Sequence, residues 1–256
     1  MKQLIAFTKK ESLEIVRNSK LLIIGIVFII VGIMNPAIAM LTPKLMELMS
    51  EQLEGAGIVL DEVTVNALTS WQQYFKNLPM AVLVFLLMFS GILVGELQKG
   101  TLINMLTKGL NRSKVVISKF IILTIVWSLC LSVCFGITYG YNSYFWDNSI
   151  AKHLGFTFIC TYIGGIWLIS LIFVVSMFIK SSTGVASVMA VIFLGKDLIQ
   201  MIPGISKHLP TFIFECGKLV DGAGKTSDYN RVIIEILILT VVNIIAAIYI
   251  FNRKNI

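Results

Sequence analysis

The residues best suited to chemistry form a basic stretch between two long apolar runs. Within residues 96–120 the single acid is Glu96, and the cations are Lys99, Lys108, Arg112, Lys114 and Lys119. Lys and Arg resist translocation across a membrane, so a basic loop between two hydrophobic spans is expected on the cytoplasmic side. The chemistry that these residue types indicate is charge pairing and docking of a soluble partner.

A short helix is predicted inside this stretch. The hydroxyl of Thr101 can accept a hydrogen bond from a first-turn N–H and so cap the helix. Gly109 can end it, because glycine adopts the left-handed conformation easily. Either Asn111 or Ser113 is expected to cap the helix that follows. Its apolar residues are Leu102, Ile103, Met105 and Leu106. A capped helix between two spans is suited to passing movement from a soluble partner to the spans.

Two further polar features lie within apolar runs. Lys196-Asp197 follows only about 12 apolar residues, which at 1.5 Å each cover about 18 Å of a ~30 Å hydrocarbon core. Charges at that depth are expected to line a substrate path, or to reach the surface from a shallow helix end. Asn35-Pro36 frees a carbonyl in the first span. Asn35 then belongs either to the translocation path or to a kink that it satisfies itself.

Catalytic and nucleotide-binding motifs do not fit. The GAGKT stretch at 222–226 has Leu219 where a phosphate-binding loop requires its first glycine. The two histidines, His153 and His208, have no metal-ligand spacing, and no nucleophile with a base lies within an apolar run. We therefore expect no catalytic site, metal or cofactor on this chain.

The composition indicates an integral membrane protein. Of 256 residues, 57% are hydrophobic and 14% are charged, against roughly 25% charged in soluble domains. The net charge of +7 comes from loops that flank apolar runs, so the positive-inside rule explains it without a nucleic-acid partner. One all-helical transmembrane domain over residues 1–256 is expected, with the lipid bilayer as its surroundings and no separate soluble domain.

Six spans are predicted, with both termini in the cytoplasm. With this topology the internal segments hold 13 basic residues and the external ones 8. An external segment is predicted over residues 43–77, either continuing the first span or lying on the surface, and Trp71, Tyr74 and Phe75 are expected to form an interfacial belt. Proline and glycine interrupt residues 203–220, which indicates external or re-entrant helices. The spans lie at about 21–41, 78–95, 115–140, 154–179, 184–202 and 232–251.

The first 19 residues are predicted to form an amphipathic helix in the membrane interface, called the elbow below. Lys9, Lys10 and Arg17 lie on its polar arc. The alternative is an ordinary basic flank that only orients the first span. The apolar arc is predicted to hold Met1, Leu4, Ile5, Thr8, Ser12, Ile15 and Val16.

The pattern E-x-x-x-G-T-L, followed by Leu, Arg and Lys, resembles the first cytoplasmic loop of ABC type-2 export permeases. The positions that match are Glu96, Gly100, Thr101, Leu102, Leu106, Arg112 and Lys119. The resemblance implies that residues 96–114 form a coupling loop, whose helix docks on a cytoplasmic ATPase subunit. It also implies an elbow helix at the N-terminus and external gate helices before the last span.

The same resemblance implies a transport subunit in a bacterial cell membrane, paired with a second permease copy or homologue. ATP and Mg²⁺ would then act on the ATPase chain. By family analogy the exported substrate is an amphipathic peptide or an antibiotic. The alternative function is an ATP-independent channel, ion-coupled carrier or scaffold.

Overall fold

The computed structural model describes residues 2–53, 65–200 and 209–254, and the regular structure in these ranges is helical. Short 3₁₀ helices cover Asn148–Ile150 and Pro210–Leu219. The α-helices of this described part are α1 (Lys2–Arg17), α2 (Lys20–Leu53), α3 (Ala67–Phe89), α4 (Val94–Gln98), α5 (Thr101–Thr107), α6 (Arg112–Phe145), α7 (Leu154–Phe178), α8 (Ser182–Gln200) and α9 (Ser227–Arg253).

Five helical segments in the described ranges are long and apolar enough to cross a membrane. They are Lys20–Leu48, Ala67–Gln98, Arg112–Phe145, Leu154–Phe178 and Ser227–Arg253. Helix α8 contains residues 184–200 of the predicted fifth span but is not one of the five, and it carries Lys196 and Asp197 near its end. The fold is therefore all-helical with five candidate spans in the part of the chain described.

The first span continues past its predicted end as one helix. α2 passes through Pro36 and Pro43 to Leu53, so the part of the predicted external segment up to Leu53 extends the span. Pro36 has no N–H for the carbonyl of Gly32 four residues earlier. The hydroxyl of Thr138, on α6, donates to that carbonyl at 3.0 Å. The freed carbonyl is thus satisfied by a neighbouring helix, not by Asn35 as the second interpretation predicted.

Asn35 joins helices in the core. Its side chain is completely buried, and its Oδ1 accepts from Asn77 Nδ2 on α3 at 3.0 Å. Its Nδ2 donates to Thr138 Oγ1 at 3.5 Å. These bonds connect α2 to both α3 and α6.

The second predicted span begins earlier than expected. α3 starts at Ala67, where the side chain of Asn66 caps it by accepting from Thr69 N–H at 3.1 Å. Trp71 and Tyr74 are buried, and both pack against Phe135 of α6. The prediction of an interfacial aromatic belt here is wrong for these two residues, because neighbouring helices cover them.

The 3₁₀ helix Pro210–Leu219 packs against α7 and α9. Phe214 lies over Gly164 of α7, and Tyr229 of α9 donates its hydroxyl to the carbonyl of Glu215 at 3.0 Å. The helix overlaps the predicted external helices at 203–220, of which residues 203–208 lie outside the described ranges. The packing fixes this segment against the ends of two spans.

Candidate functional site

Two short helices, α4 and α5, connect the second and third candidate spans, and α4 forms the end of the second. Gly100 joins them with φ of +71°, a conformation that glycine adopts without the penalty of a Cβ. Gly100 is the N-cap of α5, so the prediction that Thr101 caps it is wrong. The Thr101 hydroxyl instead donates to the carbonyl of Glu96 at 3.3 Å, which ties the start of α5 to α4.

The end of α5 follows the predicted glycine stop. Gly109 has φ of +90°, and its N–H donates to Leu106 O at 3.0 Å. The N–H of Leu110 donates to Met105 O at 3.2 Å, which completes a Schellman motif. Asn111 then caps α6 by accepting from Ser113 N–H at 2.9 Å. Of the two predicted caps, Asn111 is the one used.

The two faces of α5 differ in character. Leu102 is 0% exposed, and Met105 and Leu106 pack partly buried against the core. The exposed residues of the helix and its C-cap are Thr101, Asn104, Thr107 and Lys108. The apolar face therefore fixes α5 to the helix bundle, and the polar face is open to a partner. Leu102, predicted among the docking residues, anchors the helix and does not reach the surface.

A buried ion network lies next to this loop. Lys119 of α6 places its Nζ 2.6 Å from Glu11 Oε2 of α1 and 2.9 Å from Glu96 Oε2 of α4. The second contact is an ion pair without the alignment of a hydrogen bond. Lys10 lies 2.8 Å from Glu96 Oε1, 2.9 Å from Glu11 Oε1 and 2.6 Å from Glu14 Oε2. The network thus connects α1, α4 and α6.

Burial makes the pairing obligatory. Lys119 is 1% exposed and Glu11 is 2% exposed, and a buried charge without a partner is strongly destabilising. For Lys10, burial alone lowers the pKa, but the hydrogen bonds that its ammonium donates to Glu14, Glu96 and Glu11 outweigh it and raise the pKa above its usual value. Lys10 therefore keeps its charge in the folded protein, and the ion pairs of Lys10 and Lys119 hold three helices together.

A cleft of about 430 Å³ opens beside the network, lined by residues that include Glu11, Glu14, Glu96 and Lys119. Oxygen atoms of the three glutamates lie within 4.8 Å of one another, as in a metal site. However, Lys10 contacts all three carboxylates and Lys119 contacts two of them. Two ammonium groups already pair with these carboxylates, so this arrangement is an ion network and does not favour a bound metal.

Helix α1 packs with a different face from the predicted one. Phe7, Glu11 and Ile15 are its buried residues, spaced four apart and facing α6 and α2. Ile5 and Val16, predicted on the apolar arc, are 67% and 58% exposed. The predicted apolar arc included neither Phe7 nor Glu11. The four-residue spacing was the available signal, but it required accepting a glutamate on the packed face.

The predicted elbow cations occupy different environments. Lys10 turns into the ion network, while Lys9 and Arg17 are exposed. Two exposed cations and exposed apolar side chains on one helix fit an interfacial position, which remains a prediction.

Arg112 joins the loop to the last helix. Its Nη1 donates to the carbonyls of Phe251 at 2.9 Å, Asn252 at 3.3 Å and Lys254 at 2.6 Å. These carbonyls lie at the end of α9, where helical partners run out. The start of α6 and the end of α9 are therefore held by one side chain.

Lys196 and Asp197 pair with each other and line a second cleft, of about 530 Å³. Lys196 is buried with its ammonium over Phe193, while Asp197 is exposed. Other lining residues are Gln72, Phe75, Glu215, Lys218 and Asp221. Asn35 does not line this cleft. Of the three residues predicted to line the substrate path, Lys196 and Asp197 therefore lie in the cleft, and Asn35 lies in the core.

Comparison with known proteins agrees with this architecture. The chain is 22% identical over 241 residues to the uncharacterized transmembrane protein YxlG of Bacillus subtilis (strain 168), covering 90% of this chain and 89% of that protein. Residues 5–211 match the family model described as "ABC-2 family transporter protein". This range contains α5 and all five residues of the ion network. The chain belongs to the ABC-2 family of transporter proteins, whose members are membrane transport subunits.

Proposed function

We propose that this chain is the membrane-spanning permease subunit of an ATP-driven exporter. ATP and Mg²⁺ act on a separate cytoplasmic ATPase subunit, and this chain has no catalytic role. The observation that carries the proposal is the construction of α5: its apolar face is anchored in the bundle, and its polar face is exposed beside an ion network that joins α1, α4 and α6.

The proposed topology has six spans with both termini in the cytoplasm of a bacterial cell. Helix α8 is the fifth span and is shorter than the others. α1 is an elbow at the inner interface, where exposed Ile5, Leu13 and Val16 contact lipid. This orientation puts α5 and its basic neighbours on the cytoplasmic side.

In the proposed mechanism, the ATPase contacts the exposed face of α5 through residues such as Asn104 and Lys108. Movement of α5 and α4 reaches α1 and α6 through Glu96, which contacts both Lys10 and Lys119. Burial prevents these charges from separating at low cost, so the three helices respond together. Arg112 extends the connection to α9.

The proposed substrate is an amphipathic peptide or antibiotic, moved by two permease copies or homologues that work as a pair. The cleft with Lys196 and Asp197 forms the outer part of the path, because it combines charged and aromatic walls. Asn35 stabilises the helices around the path through hydrogen bonds that hold α2 to α3 and α6. Asp197→Asn is expected to impair export from cells while the protein still assembles.

The experiment is co-purification in mild detergent from cells that express candidate ATPase subunits. Asn104→Arg with Lys108→Glu changes only exposed side chains of the α5 region and is expected to lower ATPase recovery at least tenfold. The matched control, Lys225→Glu with Asn230→Arg, changes the loop and the start of α9. Equal recovery in both variants, or no ATPase with the wild type, overturns the proposal and favours an ATP-independent protein.

A further inference from the structure

A third cleft lies where α4, α7 and α9 end. It has a volume of about 220 Å³, below the ~300–1,000 Å³ of pockets that enclose drug-sized ligands. Its apolar lining is Val94, Leu97 and Ile179, and its polar lining is Gln98, Ser176, Lys180 and Lys254. The lining contains two cations and no acid. A small apolar cleft with cations at its edge fits part of an amphipathic anion better than a whole soluble ligand.

The cations of this corner exceed what the helix ends require. Lys254 Nζ donates to Met177 O, which satisfies the end of α7, and Arg112 satisfies the carbonyls at the end of α9. A helix C-terminus is equivalent to about half a negative charge, so the two ends together offset roughly one cation. Lys180 is exposed and has no ion-pair partner within the described residues. The corner therefore keeps an uncompensated positive charge.

The cleft also lies at the boundary of an apolar surface. Phe178, the last residue of α7 and two residues before Lys180, is 71% exposed. In a spanning helix such a side chain faces hydrocarbon, and the following lysine marks the headgroup level. A ligand with both a phosphate and an acyl chain matches an apolar surface that borders a group of cations. A soluble anion would use the cations but gain nothing from Leu97 and Ile179.

We propose that this cleft binds the headgroup of an acidic phospholipid. The phosphate lies between Lys180 and Lys254, and one acyl chain follows the apolar lining toward Phe178. Basic pockets between spans at a membrane surface bind acidic headgroups in this way. This lipid site adds to the proposed transport function and does not depend on an ATPase partner.

The test is native mass spectrometry of the full chain in detergent with dioleoyl phosphatidylglycerol or dioleoyl phosphatidylcholine. The wild type is expected to retain phosphatidylglycerol preferentially. Lys180→Gln, which breaks no hydrogen bond or ion pair within the described residues, is expected to weaken that binding about fivefold, which corresponds to ~1 kcal/mol for one basic residue. Lys180→Gln with Lys254→Gln is expected to abolish the preference.

The matched control is Lys152→Gln with Lys225→Gln, which removes the same charge just before the starts of α7 and α9, at the opposite ends of both helices. It is expected to bind phosphatidylglycerol as the wild type does, and Lys180→Arg is expected to retain binding. The proposal is overturned if both lipids bind equally, if the control loses as much as the test variant, or if soluble glycerol phosphate displaces the lipid at millimolar concentration.

Discussion

Lys119 of α6 and Glu11 of α1 form an ion pair of 2.6 Å with both side chains almost completely buried. Their separation in sequence is 108 residues. The pair makes α1 an integral part of the bundle, because Glu11 has its charge partner on another helix. Glu96 shares the same ammonium group, so the position of α4 depends on the position of α1.

Removing one charge from this network is expected to cost more than removing two. Lys119→Met leaves Glu11 buried without its closest partner, and the expected loss is about 3–5 kcal/mol. Lys119→Met with Glu11→Gln should recover part of that loss. Thermal unfolding in detergent of these two variants and of Glu11→Gln alone measures the coupling. Losses that simply add would show that the two residues do not act as a pair.

The contribution of Lys10 is expected to fall at alkaline pH. Burial lowers its pKa, but the hydrogen bonds that it donates to three glutamates raise it by more, so the folded pKa lies above the unfolded one. The resulting stability is complete below the unfolded pKa of about 10.4 and is lost as pH rises toward the folded value. The difference in Tm between wild type and Lys10→Gln should therefore be constant from pH 7 to 9 and smaller at pH 11. An increase at pH 11 would contradict the assigned direction.

Thr138→Ala is expected to destabilise by about 1 kcal/mol, because the Gly32 carbonyl then loses its donor at the proline. The effect should depend on Pro36. In a Pro36→Ala background the new N–H can satisfy Gly32, so Thr138→Ala should cost less. Thr124→Ala is the control, since its hydroxyl bonds Phe120 O of its own helix. Thermal unfolding of Thr138→Ala, Pro36→Ala, their combination and Thr124→Ala measures these costs. An equal cost of Thr138→Ala with and without Pro36 would argue against this role.

Gly165→Ala tests the contact between α7 and α6. A Cβ on Gly165 would lie 2.1 Å from Trp127 Cε2, so the indole must move and its Nε1–H bond to Tyr162 O, at 3.2 Å, must change. The expected cost is about 1–3 kcal/mol, with a shift in tryptophan emission. Gly136→Ala has no atom within 4 Å of its new Cβ and should be neutral or slightly stabilising. Similar unfolding of both variants would show that the contact is unimportant.

Gly100→Ala is expected to strain the turn between α4 and α5. A residue with a Cβ at φ of +71° costs about 1 kcal/mol, and Gly100→Asn should cost less because asparagine tolerates this conformation. No atom lies within 4 Å of the new Cβ, so crowding does not contribute. Thermal unfolding separates the two variants, and an asparagine variant less stable than the alanine variant would contradict the conformational explanation.

Local signals in the sequence predicted local structure well. Gly109 ends α5, Asn111 caps α6, and the long apolar runs form the long helices, because these features depend on neighbouring residues. Partners distant in sequence were not predictable in this way. Pro36 indicated a free carbonyl, but its donor Thr138 lies 106 residues from Gly32. The spacing of Phe7, Glu11 and Ile15 indicated one packed face, but the charge of Glu11 argued against its burial, because its partner Lys119 is distant in sequence.

The polar residues of the candidate site illustrate the same limit. The pattern around Glu96 indicated a loop for docking, yet not that Glu96 itself would turn inward to two lysines. Leu102 was predicted as a docking residue and is a buried anchor. Residue types indicated where charged side chains would cluster. Which of these side chains face a partner depends on how the helices pack.

The contact of Arg112 with the end of α9 has a consequence for biosynthesis. The loop that carries α5 is synthesised well before Phe251 and Lys254, whose carbonyls hold Arg112. In a nascent or C-terminally shortened chain, the loop therefore lacks the hydrogen bonds between Arg112 and the end of α9. The geometry of the loop therefore depends on whether α9 has been synthesised and inserted.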